Sequence, residues 1–178
     1  MAAVPSVPGF VTGEDPSIAK LNQLAYCVLF LNTLQTAGQF TNTGQTVTTS
    51  TNTALTLTRV TDRDGAWTSA HPTRYTAQTP GYFQCDAVAA FASNGTGARS
   101  AWFQVTTGSG NPGGAGLTQV YGYTAQNPPS GVNRICLTEL SPYLYAGDYV
   151  EVYAFQSSGG NLATAASAFD IALVSLGP

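Results

Sequence analysis

The sequence predicts an all-β fold: a jelly-roll β-sandwich preceded by an extended N-terminal arm and one amphipathic α-helix. Three observations lead there. Strand patterns, with one face carrying an apolar row, recur in segments 82–92, 99–106, 117–124, 133–139, 148–156 and 169–176. Clusters of Gly, Pro, Asn or Ser bound each segment, and no helical spacing intervenes. The one helical pattern lies ahead of all of them, and short strands in succession without helices between them make a sandwich or jelly roll.

The elements follow in order. Residues 1–14 carry two prolines, two glycines and scattered apolar side chains, and so read as an extended arm. Asp15-Pro16-Ser17 supplies an N-cap with proline at the first helical position. Ile18, Leu21, Leu24, Ala25, Val28, Leu29 and Leu31 then recur at spacings of three and four, predicting a helix to about Leu34 with Gly38 beyond it. This helix either docks or bundles with other chains, or folds back on its own domain. From Thr41 the chain turns threonine-rich and β-branched, which suits strands. The expected division is therefore 1–40, arm and helix, and 41–178, sandwich.

The strand faces follow from the alternation. Phe83, Cys85, Ala87, Ala89 and Phe91 form one apolar row; Ala101, Phe103 and Val105 a second; Phe169, Ile171 and Leu173 a third. These rows predict the core. Opposite them aromatics recur: Tyr82, Trp102, Tyr121, Tyr123, Tyr149, Tyr153 and Phe155. The segment AGDYVEVYAFQSSGG (146–160) is apolar on both faces, with Val150, Val152 and Ala154 on one side and Tyr149, Glu151, Tyr153 and Phe155 on the other. Such a set on successive strands predicts a second buried surface. Glu151 must then lie at its rim or meet a partner such as an arginine.

Composition narrows the function. The chain of 178 residues is 43% hydrophobic, enough for a sizeable core. Charged residues are only 8%, against ~25% in ordinary soluble proteins. Such a surface relies on Thr, Ser, Asn, Gln and Gly, or is covered by partners. Net charge is −3 and Lys20 is the one lysine, so direct nucleic-acid binding is not expected. The N-terminus shows no signal-peptide pattern, and the helix is too short and polar to span a membrane. Cys27, Cys85 and Cys136 are widely spaced and two lie in strand patterns, so all three are expected to be reduced.

A search for chemistry finds no catalytic, cofactor-binding or metal-binding set. Gly108-Ser109-Gly110-Asn111-Pro112-Gly113 fits GxGxxG, but no helix follows to receive a pyrophosphate, and a mobile hairpin loop is expected. Asp62-Arg63-Asp64-Gly65 resembles the opening of a calcium loop without its later ligands, and reads as a capped turn. His71 is the single histidine and no nucleophile elbow accompanies it. Asp148 and Glu151 point to opposite faces, so they do not form an acid pair; Asp148 reads as a turn residue. Asn94-Gly95-Thr96 matches a glycosylation sequon, a pattern short enough to arise by chance.

Four segments resemble the jelly roll of the tumour-necrosis-factor and complement-globular-head superfamily. TRYTAQTPGYFQCDAVAAF (73–91) is similar to its entry into a core strand, with Thr79-Pro80-Gly81-Tyr82. ARSAWFQVTTG (98–108) resembles the next strand, although Thr106-Thr107-Gly108 replaces an Asn-Gly turn. LYAGDYVEVYAFQ (144–156) and SAFDIALVSL (167–176) resemble its Gly-Asp strand and its closing strand. The opening, with Gly13-Glu14, Leu21-Asn22 and Leu29-Phe30-Leu31, resembles the start of tailed-phage virion proteins that carry such jelly rolls.

The resemblance implies a non-enzymatic homotrimer without cofactor: a capsid decoration protein bound to the major capsid protein on the outer surface of the virion, made in the bacterial cytoplasm. On this reading the trimer contact is Tyr121, Tyr123, Tyr149, Glu151, Tyr153 and Phe155, and capsid docking uses Val4, Val7, Phe10, Ile18 and Leu21. The alternative is a host-recognition or carbohydrate-binding tip of a fibre or appendage. Its expected recognition loops, 94–98, 109–116 and 126–131, contain no aromatic residue to stack on a sugar.

Overall fold

The structure, a computed structural model, describes residues 8–9, 17–33, 37–127 and 131–176. Helix α1 (Ile18–Thr33) is followed by β1 (Ala37–Asn42), β2 (Thr46–Val47), β3 (Thr53–Ala54), β4 (Thr58–Asp62), β5 (Arg74–Thr76) and β6 (Gly81–Phe91). Then come β7 (Arg99–Thr106), β8 (Thr118–Gln126), β9 (Asn133–Leu144), β10 (Tyr149–Gln156), β11 (Leu162–Ala163) and β12 (Ser167–Ser175). The first sheet has the order β4-β1-β12-β6-β9. The second has the order β3-β10-β7-β8, with β5 also paired to β10, and β11 pairs β2 separately. All these pairings are antiparallel. The fold is the jelly-roll sandwich that the sequence predicts.

The predicted core rows are buried between the sheets: Phe83, Cys85, Ala87, Ala89 and Phe91 from β6, with Ala101, Phe103 and Val105 from β7. Val150, Val152 and Ala154 join them from β10. Each fully buried large side chain contributes about 1.5–3 kcal/mol. Phe169 of β12 stacks on Phe40 at 5.9 Å and meets Phe103 of the opposite sheet at 5.9 Å, linking the two layers.

Two elements extend beyond their expected bounds. The sandwich begins at Ala37 rather than at 41, because β1 lies between β12 and β4. Gly38 belongs to this strand rather than to a helix end: a Cβ there would lie 2.5 Å from the Phe40 ring. β9 continues to Leu144, past Pro142. As the edge strand of its sheet it tolerates proline, and the register shifts between Tyr82/Tyr143 and Gln84/Leu140 to take up an extra residue there.

Candidate functional surface

Residues facing each other across an antiparallel pair share a face, so the registers lay out the outward side of the second sheet. One row crosses the strands as Arg74, Glu151, Gln104 and Val120. Beside it run Tyr153 and Trp102, and Tyr123 meets Trp102 from β8. The Trp102 ring stacks on Tyr153 at 5.6 Å and 10° and lies 5.8 Å from Tyr123. On the other side of the polar row, the Arg74 guanidinium covers the Tyr149 ring at 4.3 Å.

These contacts change the meaning of the aromatic face. The sequence predicts that it needs a partner; instead the chain covers much of it. Trp102 is only 6% exposed and Glu151 9%, while Tyr149, Tyr153 and Phe155 are half-buried. Glu151 does not meet an arginine head-on. Its Oε1 accepts from the Thr73 hydroxyl at 2.5 Å, while Arg74, its cross-strand neighbour, turns its charge over Tyr149.

Tyr121 is not on this face. Phe103 opposes Tyr121 and Ala101 opposes Thr124, so β8 carries one residue more than β7 in that interval. Gly122, at φ +60°, provides the left-handed turn of this bulge. Tyr121 therefore packs against the core beside Phe103, and its hydroxyl donates to Gln119 Oε1, while Tyr123 faces outward. Simple alternation puts both tyrosines on one side, and the bulge separates them.

β8 is also an edge strand. Leu117, Val120 and Tyr123 are 56%, 57% and 62% exposed. From Leu117 to Gln126 the sequence LTQVYGYTAQ holds no charge and no proline, the usual means of protecting an edge. Val132, just before β9, is exposed as well. The absence of charge was legible in the sequence; the position at the edge was not.

The N-terminal docking residues divide. Val4, Val7 and Phe10 lie outside the described residues. Ile18 and Leu21 are exposed, as is Leu24, so this part of the apolar stripe is not buried against the chain's own domain. On the first sheet an open groove of about 430 Å³ is lined by residues including Gln39, Arg63, Gln84, Asp86 and Asp170. Asp86 and Asp170 oppose each other in register, and Gln84 Nε2 donates to Asp86 Oδ2 at 2.9 Å.

The polar loops hold structure together. Asp148 is 1% exposed, and its carboxylate accepts from Gly108 N at 2.7 Å, Asn111 Nδ2 at 2.9 Å and Tyr145 N at 2.9 Å. It clamps the glycine-rich loop, which is therefore pinned rather than mobile. Gly108 packs so closely on the Gly147 carbonyl that a Cβ would collide with it. Asp62 accepts from the N–H groups of Ala66 and Trp67, the capped turn that the sequence predicts. Asp64 is buried beside it, accepts from the Tyr75 hydroxyl at 3.0 Å, and has its Oδ1 without a partner. Burial, opposed by the Tyr75 hydrogen bond and aided by the Asp62 charge, raises its pKa to about 6.

In the sequon loop, Asn94 Oδ1 accepts from Thr96 N, while the Asn94 carbonyl accepts from the buried Arg99 guanidinium. Cys85 is buried and Cys136 exposed, and both are free thiols. His71 is exposed in a turn. Among the described residues, no three His, Cys, Asp or Glu side chains are grouped to hold a metal ion.

Solved structures share this arrangement. The globular domain of zebrafish complement 1qA superposes with a TM-score of 0.52 at 13% identity, covering 79% of this chain and 99% of that one. The Eiger tumour necrosis factor of S. frugiperda gives 0.55 at 12% identity, covering 81% and 96%. Murine APRIL gives 0.54 at 12% identity, covering 77% and 99%. The fold is the tumour-necrosis-factor and complement 1q jelly roll. No protein-family model and no curated protein matches the chain.

Proposed function

We propose that this chain is a non-catalytic structural protein of a phage virion: a homotrimeric jelly-roll head attached to the major capsid protein through its arm and helix. The observation that carries the assembly is the β8 edge. Nine residues of strand end a sheet with Val120 and Tyr123 exposed, Leu117 exposed just before them, and no charge to discourage pairing. Packing that edge against a different surface of the next copy is a heterologous contact, which closes into a ring when the rotation is three-fold. The trimer contact thus moves from the β10 face to the edge, at Leu117 and Val120.

Attachment to a shell is supported by the exposed Ile18 and Leu21 on α1 and by the opening's likeness to virion proteins. A decoration protein of this kind binds the outer capsid surface and stabilises it by mass action. Light scattering on the purified protein tests the first half. A trimer is expected, and Val120→Lys should lower its mass toward a monomer at micromolar concentration; a wild-type monomer, or a Val120→Lys trimer, refutes the edge contact. Imaging of virions tests the second half: copies in multiples of three per shell facet are expected, and density confined to the tail tip removes the decoration role.

A further inference from the structure

We propose that the outward face of the second sheet binds a neutral saccharide along the row Arg74–Glu151–Gln104, with Tyr123, Trp102 and Tyr153 as its aromatic wall. The row supplies one positive group, one negative group and one carboxamide within a span of three strands. A phosphate or sulfate ligand would face Glu151, and a cationic ligand would face Arg74. A neutral ligand rich in hydroxyl groups satisfies both, because each hydroxyl donates and accepts.

The hydrogen bonding of the face is incomplete. Arg74 Nε and Trp102 Nε1 are buried and have no acceptor. Buried donors are normally satisfied, and two without partners on one face need a reason that the fold does not supply. Tyr153 is already tied in by its stack on Trp102. Sugar oxygens can accept from Arg74 and Trp102, sugar hydroxyls can donate to Glu151, and sugar C–H faces can rest on the rings of Tyr123 and Tyr153. Tyr123 lies beside Trp102 on the β8 side and is 62% exposed, the most accessible wall against which a ligand can settle next to the indole. The aromatic residues missing from the loops are gathered on this face instead.

This inference does not depend on the trimer. The test uses the full chain carrying Trp67→Phe, which leaves Trp102 as the only tryptophan. Cello-, chito-, malto-, manno- and galacto-oligosaccharides are titrated at millimolar concentration, following tryptophan emission and heat. Saturable binding by at least one class is expected, weakened roughly three- to tenfold by Gln104→Ala or Tyr123→Ala. Trp102→Phe keeps an aromatic ring in the stack and removes the N–H; it should weaken binding by a similar factor while leaving the chain folded.

The inference is overturned if no sugar in the panel binds, or if binding is indifferent to all three substitutions. It is also overturned if only phosphate or sulfate competes. Mass is measured on the same samples: a trimer that ignores sugars sinks this inference alone, and a monomer that binds them sinks the trimer alone.

Discussion

Replacing Asp148 by alanine should be among the most damaging single changes outside the apolar core. Its carboxylate accepts three hydrogen bonds, from the Gly108 and Tyr145 backbone N–H groups and the Asn111 carboxamide. A hydrogen bond to a charged group contributes about 1.5–3 kcal/mol. The three are not additive, because Gly108, Asn111 and Tyr145 are half-buried and water takes over part of their bonding. A loss of about 3–4 kcal/mol is expected, or roughly 6–16 °C in Tm for a chain of this size.

Calorimetry at one fixed protein concentration measures the loss, since an oligomer's Tm depends on concentration. Hydrogen exchange locates it: amides across 108–116 should lose protection in Asp148→Ala, while those of β6 should keep theirs. Asp148→Asn, which retains an acceptor oxygen, should fall between wild type and alanine. A loss below about 1 kcal/mol, with exchange in 108–116 unchanged, would refute the clamp.

Two other changes probe neighbouring features. Asp64 is easier to protonate in the folded chain than in the unfolded one, with its pKa raised from 3.8 to about 6. Its stabilising contribution is therefore complete below about pH 4 and is lost as pH rises through 6. The shift sets a ceiling near ~3 kcal/mol and solvent around the turn screens it, so about 1–2 kcal/mol is expected. Urea titrations across pH 4–7 should show this slope in wild type and a flatter one in Asp64→Asn; equal slopes refute it. Gly122→Val places a β-branched residue at φ +60°, and should cost about 1–3 kcal/mol by opposing the bulge. If chemical denaturation finds it neutral, Tyr121 and Tyr123 are not separated by a left-handed residue.

Much of the fold was legible because its signals are local. The rows Phe83–Phe91 and Phe169–Leu173 show the expected alternation of burial, while in β7 the row Ala101–Val105 is buried together with Trp102 on the opposite face. The short strands β2, β3, β5 and β11 carry no readable period in their two or three residues; β3 and β5 form on the longer β10, and β2 and β11 pair with each other. The surface was less legible still. Tyr121 and Tyr123 read as a pair until the extra residue at Gly122 set them on opposite faces. Asp148 read as a turn residue because nothing local reveals that Gly108 and Asn111, some forty positions earlier, donate to it.

The sequence by itself determined the class of fold, the identity of the core rows and the low proportion of charged residues. Periodicity and composition carry these properties, and both are complete in a linear chain. Only the tertiary structure decided what the aromatic residues opposite the core do. Tyr153 stacks on Trp102, Arg74 lies over Tyr149, and Thr73 donates to Glu151, so much of the ring surface on the β10 face is covered by its own chain. Strand order likewise placed β8 at an edge, where its lack of charge acquires a consequence. Whether an apolar side chain needs an outside partner depends on which strands become its neighbours, and sheet order is set by long-range pairing that no local pattern encodes.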